Sequence, residues 1–207
     1  PPTTRWGALE DFMVDEVDDD MCRALALHWP NLKRLRVRNT SSNWNFTFTP
    51  AGLRALAAGC KSLTEAQLPF DTNFSDADLA AFATQCQGLR SLHLTRITGI
   101  DKASLVGDFA KVASHLVTLS FNASAVTVCA DDLCRLLALT PALTSLSLGS
   151  LRCEVTDNVL HAVATGCPWL RELHTFNAYH ISDIGVEALA HGCPHLRVLA
   201  LPRIGRM

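Results

Sequence analysis

The chain has 207 residues, 18 basic against 20 acidic side chains, and 31 leucines beside a single tyrosine, Tyr179. That length holds a sizeable core, and a net charge of −2 excludes a global attraction to nucleic acid or an anionic membrane. No apolar run approaches the ~18 residues of a membrane span. So heavy a use of one aliphatic residue points to a repeated packing position.

In chain order, residues 1–16 (PPTTRWGALEDFMVDE) read as an N-terminal flank or partial cap, and residues 17–207 as one repeat domain. Glu10, Asp11, Asp15 and Glu16 make the flank acidic, and Asp18, Asp19 and Asp20 follow. The last three suit a helix start, where the helix dipole favours negative charge. A cation or a basic partner is the alternative.

A leucine-anchored segment then recurs as WPNLKRLRV (29–37), CKSLTEAQL (60–68), CQGLRSLHL (86–94), ASHLVTLSF (113–121), TPALTSLSL (140–148), CPWLRELHT (167–175) and CPHLRVLAL (193–201). The anchors Leu32, Leu63, Leu89, Leu116, Leu143, Leu170 and Leu196 are separated by 31, 26, 27, 27, 27 and 26 residues. Seven copies in one register specify a solenoid. Each copy ends in period-two alternation, the pattern of a half-buried strand, with Leu35 and Val37 or Leu146 and Leu148 pointing inward.

Between the anchors lie helical segments at 49–60, 75–86, 101–113, 130–140, 156–167 and 182–193, with a degenerate one at 17–29. Most open on Ser, Thr or Asp, which accept hydrogen bonds from the free N–H groups of a helix start. Pro50 suits the first helical position, and Gly59, Gly166 and Gly192 suit a helix end. A single unit cannot bury both its strand and its helix. Stacked units can, and the expected fold is a curved α/β solenoid of about seven repeats, parallel strands on the concave side and helices on the convex side.

The pattern C-x-x-L-x-x-L-x-L, followed by [IV]-[ST]-D-x-x-L and an Ala-rich helix, resembles the cysteine-containing subclass of leucine-rich repeats found in F-box proteins of cullin-type ubiquitin ligases. It spans residues 17–201 and is clearest in VTDNVLHAVATGCPWLREL and ISDIGVEALAHGCPHLRVL. Trp29, Ala113 and Thr140 stand where that subclass has Cys, and Thr175 replaces the last strand leucine. The resemblance implies a non-catalytic protein-binding module, the substrate-recognition part of a ubiquitin ligase adaptor, with an F-box upstream of Pro1. The alternative is a structural subunit built into a large assembly, ciliary or ribosomal for example, with a neighbour covering the C-terminal end. Pro1-Pro2 and a last strand without a following helix make a fragment of a longer chain the expectation.

The concave face is the expected partner surface, carried by Arg34, Arg36, Arg38, Gln67, His93, Ser120, Ser147, Glu172, His174 and Phe176, with Trp44 at the tip of the long first loop. The three arginines read either as a dock for carboxylates or phosphates or as a charged edge strand that resists pairing. Phe48 is expected in the core, and Trp44 at a partner or folded back.

No metal, cofactor or catalytic group is assigned. His93 and His174 lie three repeats apart, roughly 14 Å by strand spacing, too far to share an ion. Neither a phosphate loop nor a nucleophile motif is present. Cys60, Cys86, Cys167 and Cys193 occupy one repeat position and read as buried thiols. The expectation is an intracellular, cytoplasmic protein with reduced cysteines and no membrane or nucleic-acid partner.

Overall fold

The structure is a computed structural model and describes residues 8–38, 48–69, 74–95, 109, 113–122, 129–149, 155–175 and 180–201. Strands and helices alternate: β1 (Asp11–Val14), α1 (Asp19–His28), β2 (Arg34–Val37), α2 (Pro50–Gly59), β3 (Glu65–Pro69), α3 (Asp76–Gln85) and β4 (Ser91–Thr95). A 3-10 turn at Ala113–His115 leads to β5 (Thr118–Asn122), then α4 (Ala130–Ala138), β6 (Ser145–Leu148), α5 (Asp157–Gly166), β7 (Glu172–Thr175), α6 (Asp183–Gly192) and β8 (Val198–Ala200). Of the helix expected over 101–113, only Phe109 and Ala113 are described, and both are fully buried.

The eight strands form one parallel sheet in sequence order, β1 to β8. Parallel neighbours need a crossover, and here every described helix provides one. This is a leucine-rich-repeat solenoid. It holds one strand more than the seven leucine anchors indicated, because β1 arises from the acidic flank. Asp11, Phe12, Met13 and Val14 pair with Arg34, Leu35, Arg36 and Val37.

The register explains the leucines. Leu35, Ala66, Leu92, Leu119, Leu146 and Leu173 stand opposite one another across β2 to β7, and each is fully buried. The turn anchors from Leu32 to Leu170 are buried as well, at 1% exposure or less. Phe48 is 2% exposed and packs on Phe74 with ring centres 5.0 Å apart, as a core residue should. Thr175, in place of a leucine, is buried and turns its hydroxyl to the Ala200 carbonyl at 3.4 Å.

Helix ends show two devices that position the repeats. Cys60, Cys86, Cys167 and Cys193 each follow a helix as its C-cap. Their thiols point at backbone carbonyls of the preceding repeat: Cys60 to Trp29, Cys86 to Cys60, Cys167 to Thr140 and Cys193 to Cys167, at 3.5–3.9 Å. Burial pushes the Cys60 thiol up to about 11 and those of Cys86 and Cys167 to about 12. Thr140, where the pattern has Cys, bonds instead to the Leu136 and Leu137 carbonyls of its own helix.

The glycines before these cysteines do end their helices, as the sequence suggested, and they also meet a second demand. Gly59, Gly166 and Gly192 are the last helical residues, and none has a left-handed backbone. A Cβ at Gly166 would lie 2.8 Å from the Leu137 carbonyl carbon, and one at Gly192 2.7 Å from that of Ala164. They are glycine because the previous helix presses its backbone against them.

Candidate protein-interaction face

Alternation puts every second strand residue on the concave surface. The middle row of that surface runs Met13, Arg36, Gln67, His93, Ser120, Ser147, His174 and Ala200, each opposite the next. Six residues singled out in the sequence, Arg36, Gln67, His93, Ser120, Ser147 and His174, therefore form one uninterrupted line. All six are half-buried, with room for a partner to complete their coverage. A second row places Arg34, Glu65, Ser91, Thr118, Ser145, Glu172 and Val198 side by side. Trp44 and Phe176 lie outside the described residues.

The arginines are not an unpaired cationic strip. Arg34 Nε meets Asp11 Oδ2 at 2.9 Å, Arg36 Nε meets Glu65 Oε1 at 2.7 Å, and Arg38 Nη2 meets Asp15 Oδ1 at 2.8 Å. Lys33 Nζ likewise meets Glu10 at 2.8 Å. Nor is β2 an edge strand, since β1 lies beside it. The acidic flank is thus explained without a cation or a basic partner: three of its carboxylates neutralise the neighbouring strand.

Further along, the surface is short and hydroxyl-rich. Ser91 Oγ and His93 Nε2 are 2.9 Å apart, and the Ser145 hydroxyl donates to Glu172 at 3.2 Å. Burial holds the His93 imidazole below its ordinary value, partly opposed by Glu65 and assisted by Arg36. The face therefore offers paired charges at its first strands, a neutral hydroxyl carpet over β4 to β6, and Glu172 with His174 beyond. Such a surface presents mainly hydrogen-bonding groups. Among the described residues no three His, Cys, Asp or Glu side chains gather as a metal site. No described helix is long and apolar enough to cross a membrane.

A feature the sequence reading passed over sits on the rim where the strands begin. The residue before each anchor leucine is Asn31, Ser62, Gly88, His115, Ala142, Trp169 or His195. Trp169 is 59% exposed and stacks on His195, with ring centres 5.1 Å apart and planes 6° from parallel. It walls a shallow depression of about 480 Å³ with Pro141, Ala142, Thr144 and Arg171. The available signal was a tryptophan at a turn position that is small or polar in all six of the other repeats.

No family model matches the chain. Among solved structures it is similar to a chain in the crystal structure of the Rad7 and Elc1 complex in yeast, with a TM-score of 0.69 and 16% sequence identity. The likeness covers 92% of this chain and 48% of that one, so this chain spans about half the length of its structural neighbour. At that identity the likeness concerns the fold.

Proposed function

We propose that the chain is a non-catalytic protein-binding module whose concave sheet receives a partner protein. The observation that carries this is the continuous half-buried row from Arg36 to His174, which crosses six adjacent strands without an apolar interruption. With strands ~4.8 Å apart the face is wide enough for a peptide or the edge of a small domain. The resemblance to F-box leucine-rich repeats supports a finer reading, substrate recognition within a ubiquitin ligase. A structural neighbour crystallised as a complex with another protein is in keeping with that role.

A second reading, a subunit built permanently into a large assembly, has one observation in its favour. Leu199 continues the buried leucine row, yet is 38% exposed, and Val198 before it is 40% exposed. A neighbouring protein seated on that end would bury them, as would further repeats of a longer chain.

Affinity capture of the full-length protein from its own cells, repeated with Ser120→Arg/Ser147→Arg, tests both readings. Ligase subunits with substoichiometric companions lost in the variant support the first. One stoichiometric assembly retained by the variant, without ligase subunits, overturns it in favour of the second.

A further inference from the structure

Most cations near the sheet are neutralised within the molecule. Lys33, Arg34, Arg36 and Arg38 each meet a carboxylate. Arg90, Arg171 and Arg197 do not, but the Arg90 guanidinium donates to the Gln87 and Leu89 carbonyls at 3.0 Å, whereas Arg171 and Arg197 are exposed and among the described residues neither has an ion-pair partner. They occupy equivalent positions in successive repeats, joined by a 2.8 Å hydrogen bond from the Arg197 N–H to the Arg171 carbonyl. Two residues before each stand the stacked rings of Trp169 and His195.

Two stacked, parallel rings and two arginines thus share one stretch of rim, where Trp169 and Arg171 line a depression with Pro141, Ala142 and Thr144. A tryptophan left more than half exposed but held by stacking is preorganised, so little rotamer freedom is lost when a partner covers it. Adjacent arginines with no internal partner present a fork geometry suited to carboxylates. Aromatic and arginine anchors side by side are the usual composition of energetically dominant interface residues.

We propose that this rim is a second docking site, distinct from the concave face, for an extended acidic segment of a partner protein. An aliphatic or aromatic side chain of that segment lies in the depression against Trp169. The carboxylates on either side of it pair with Arg171 and Arg197. Charge complementarity selects this occupant over a second copy of the chain, whose acidic flank is already engaged with Lys33, Arg34 and Arg38.

The test is selection of a displayed library of random dodecapeptides on the full chain, with parallel selections on Trp169→Ala, on Arg171→Glu/Arg197→Glu and on the concave variant Ser120→Arg/Ser147→Arg. All replaced side chains are exposed or half-buried, and thermal melting confirms that each variant folds. The expected pool is rich in Asp and Glu around an apolar residue. Its binding falls about tenfold or more in either rim variant, weakens with added salt, and survives in the concave variant. A pool without acidic excess, or one that both rim variants retain, overturns the site. So does a concentration-dependent dimer abolished by Arg171→Glu/Arg197→Glu, which would make a second copy the occupant. Loss in the concave variant alone would place all binding on the sheet, so the two sites succeed or fail separately.

Discussion

The carboxylate of Asp157, at the start of α5, caps the start of α6. It accepts the Ser182 backbone N–H at 2.9 Å and the Ser182 hydroxyl at 2.6 Å. Asp19 does the same for Thr49 one repeat stack away, at 2.8 and 2.7 Å, and reaches the Gly52 N–H at 3.1 Å as well. In each pair a glycine three residues past the capped Ser or Thr leaves room for the aspartate. A Cβ at Gly185 would press on the Asp157 carboxylate and lie 3.1 Å from its Cα. Sequence-distant helix starts are thereby pinned together.

Gly185→Ala is therefore expected to destabilise the fold by about 1–3 kcal/mol, the usual range for an overpacked site, despite alanine's better helix propensity. Asp157→Ala removes the cap instead and should cost about 1–2 kcal/mol. Urea denaturation of each variant measures both. Equal or higher stability of Gly185→Ala would mean that the helices have slack at this contact.

These caps also set an acid response. Hydrogen bonds from Ser182 hold Asp157 below its ordinary value of 3.8. For Asp19, burial pushes upward but is outweighed by hydrogen bonds from Thr49 and Gly52, so it too lies below 3.8. A depressed carboxylate contributes in full above the unfolded value and loses that contribution as pH falls through the folded one. The wild type should lose more stability below pH 3.8 than Asp157→Asn does, compared by denaturation at stepped pH. Parallel curves would remove Asp157 from the account.

His93 acts at milder acidity. Burial lowers its value from 6.5, so the unfolded chain takes up its proton first and the fold weakens as pH drops below 6.5. His93→Gln should flatten stability between neutral and mildly acidic pH. Calorimetric scans across that interval decide it, and an undiminished slope would assign the effect to other groups.

Leu146 is fully buried in the central row. Leu146→Asp places an unpartnered charge there, and a loss of several kcal/mol, enough to unfold the adjoining repeats, is expected. Unchanged melting would contradict the register.

Thiol reagents give an orthogonal check. Cys60, Cys86, Cys167 and Cys193 are at most 2% exposed, whereas Cys129 is exposed. Cys129 should label quickly in the native state and the four ladder cysteines only on unfolding, as mass spectrometry of labelled peptides would show. Rapid labelling of all four would mean that the helices do not close over them.

The repeat made most of this architecture readable. Anchors such as Leu116 and Leu170 fixed the strands that follow them, because only one phase of a period-two pattern buries leucine. What escaped was whatever depends on a residue's neighbour in the next repeat. Asp11 and Arg34 are 23 positions apart and meet only through the parallel register. β1 escaped because its anchor, Leu9, stands only 23 residues before Leu32 and Phe12 takes the place of the strand leucine. Gly166 does end its helix, but the close contact that also demands glycine there, with the Leu137 backbone, belongs to another helix. On the candidate face, the row from Arg36 to His174 followed from alternation, but its charge pairing did not. Trp169 was missed because a rim position has no periodic signature.

Each strand is bonded only to its neighbours in sequence, from β1 through to β8. Pulled from its two termini, such a chain has no central knot to resist and passes tension through every repeat in series. The weakest junction, not the average one, then sets the force at which the protein yields. Rupture there lengthens the chain by one repeat while the others stay folded, so a partner held across several repeats would also act as a splint.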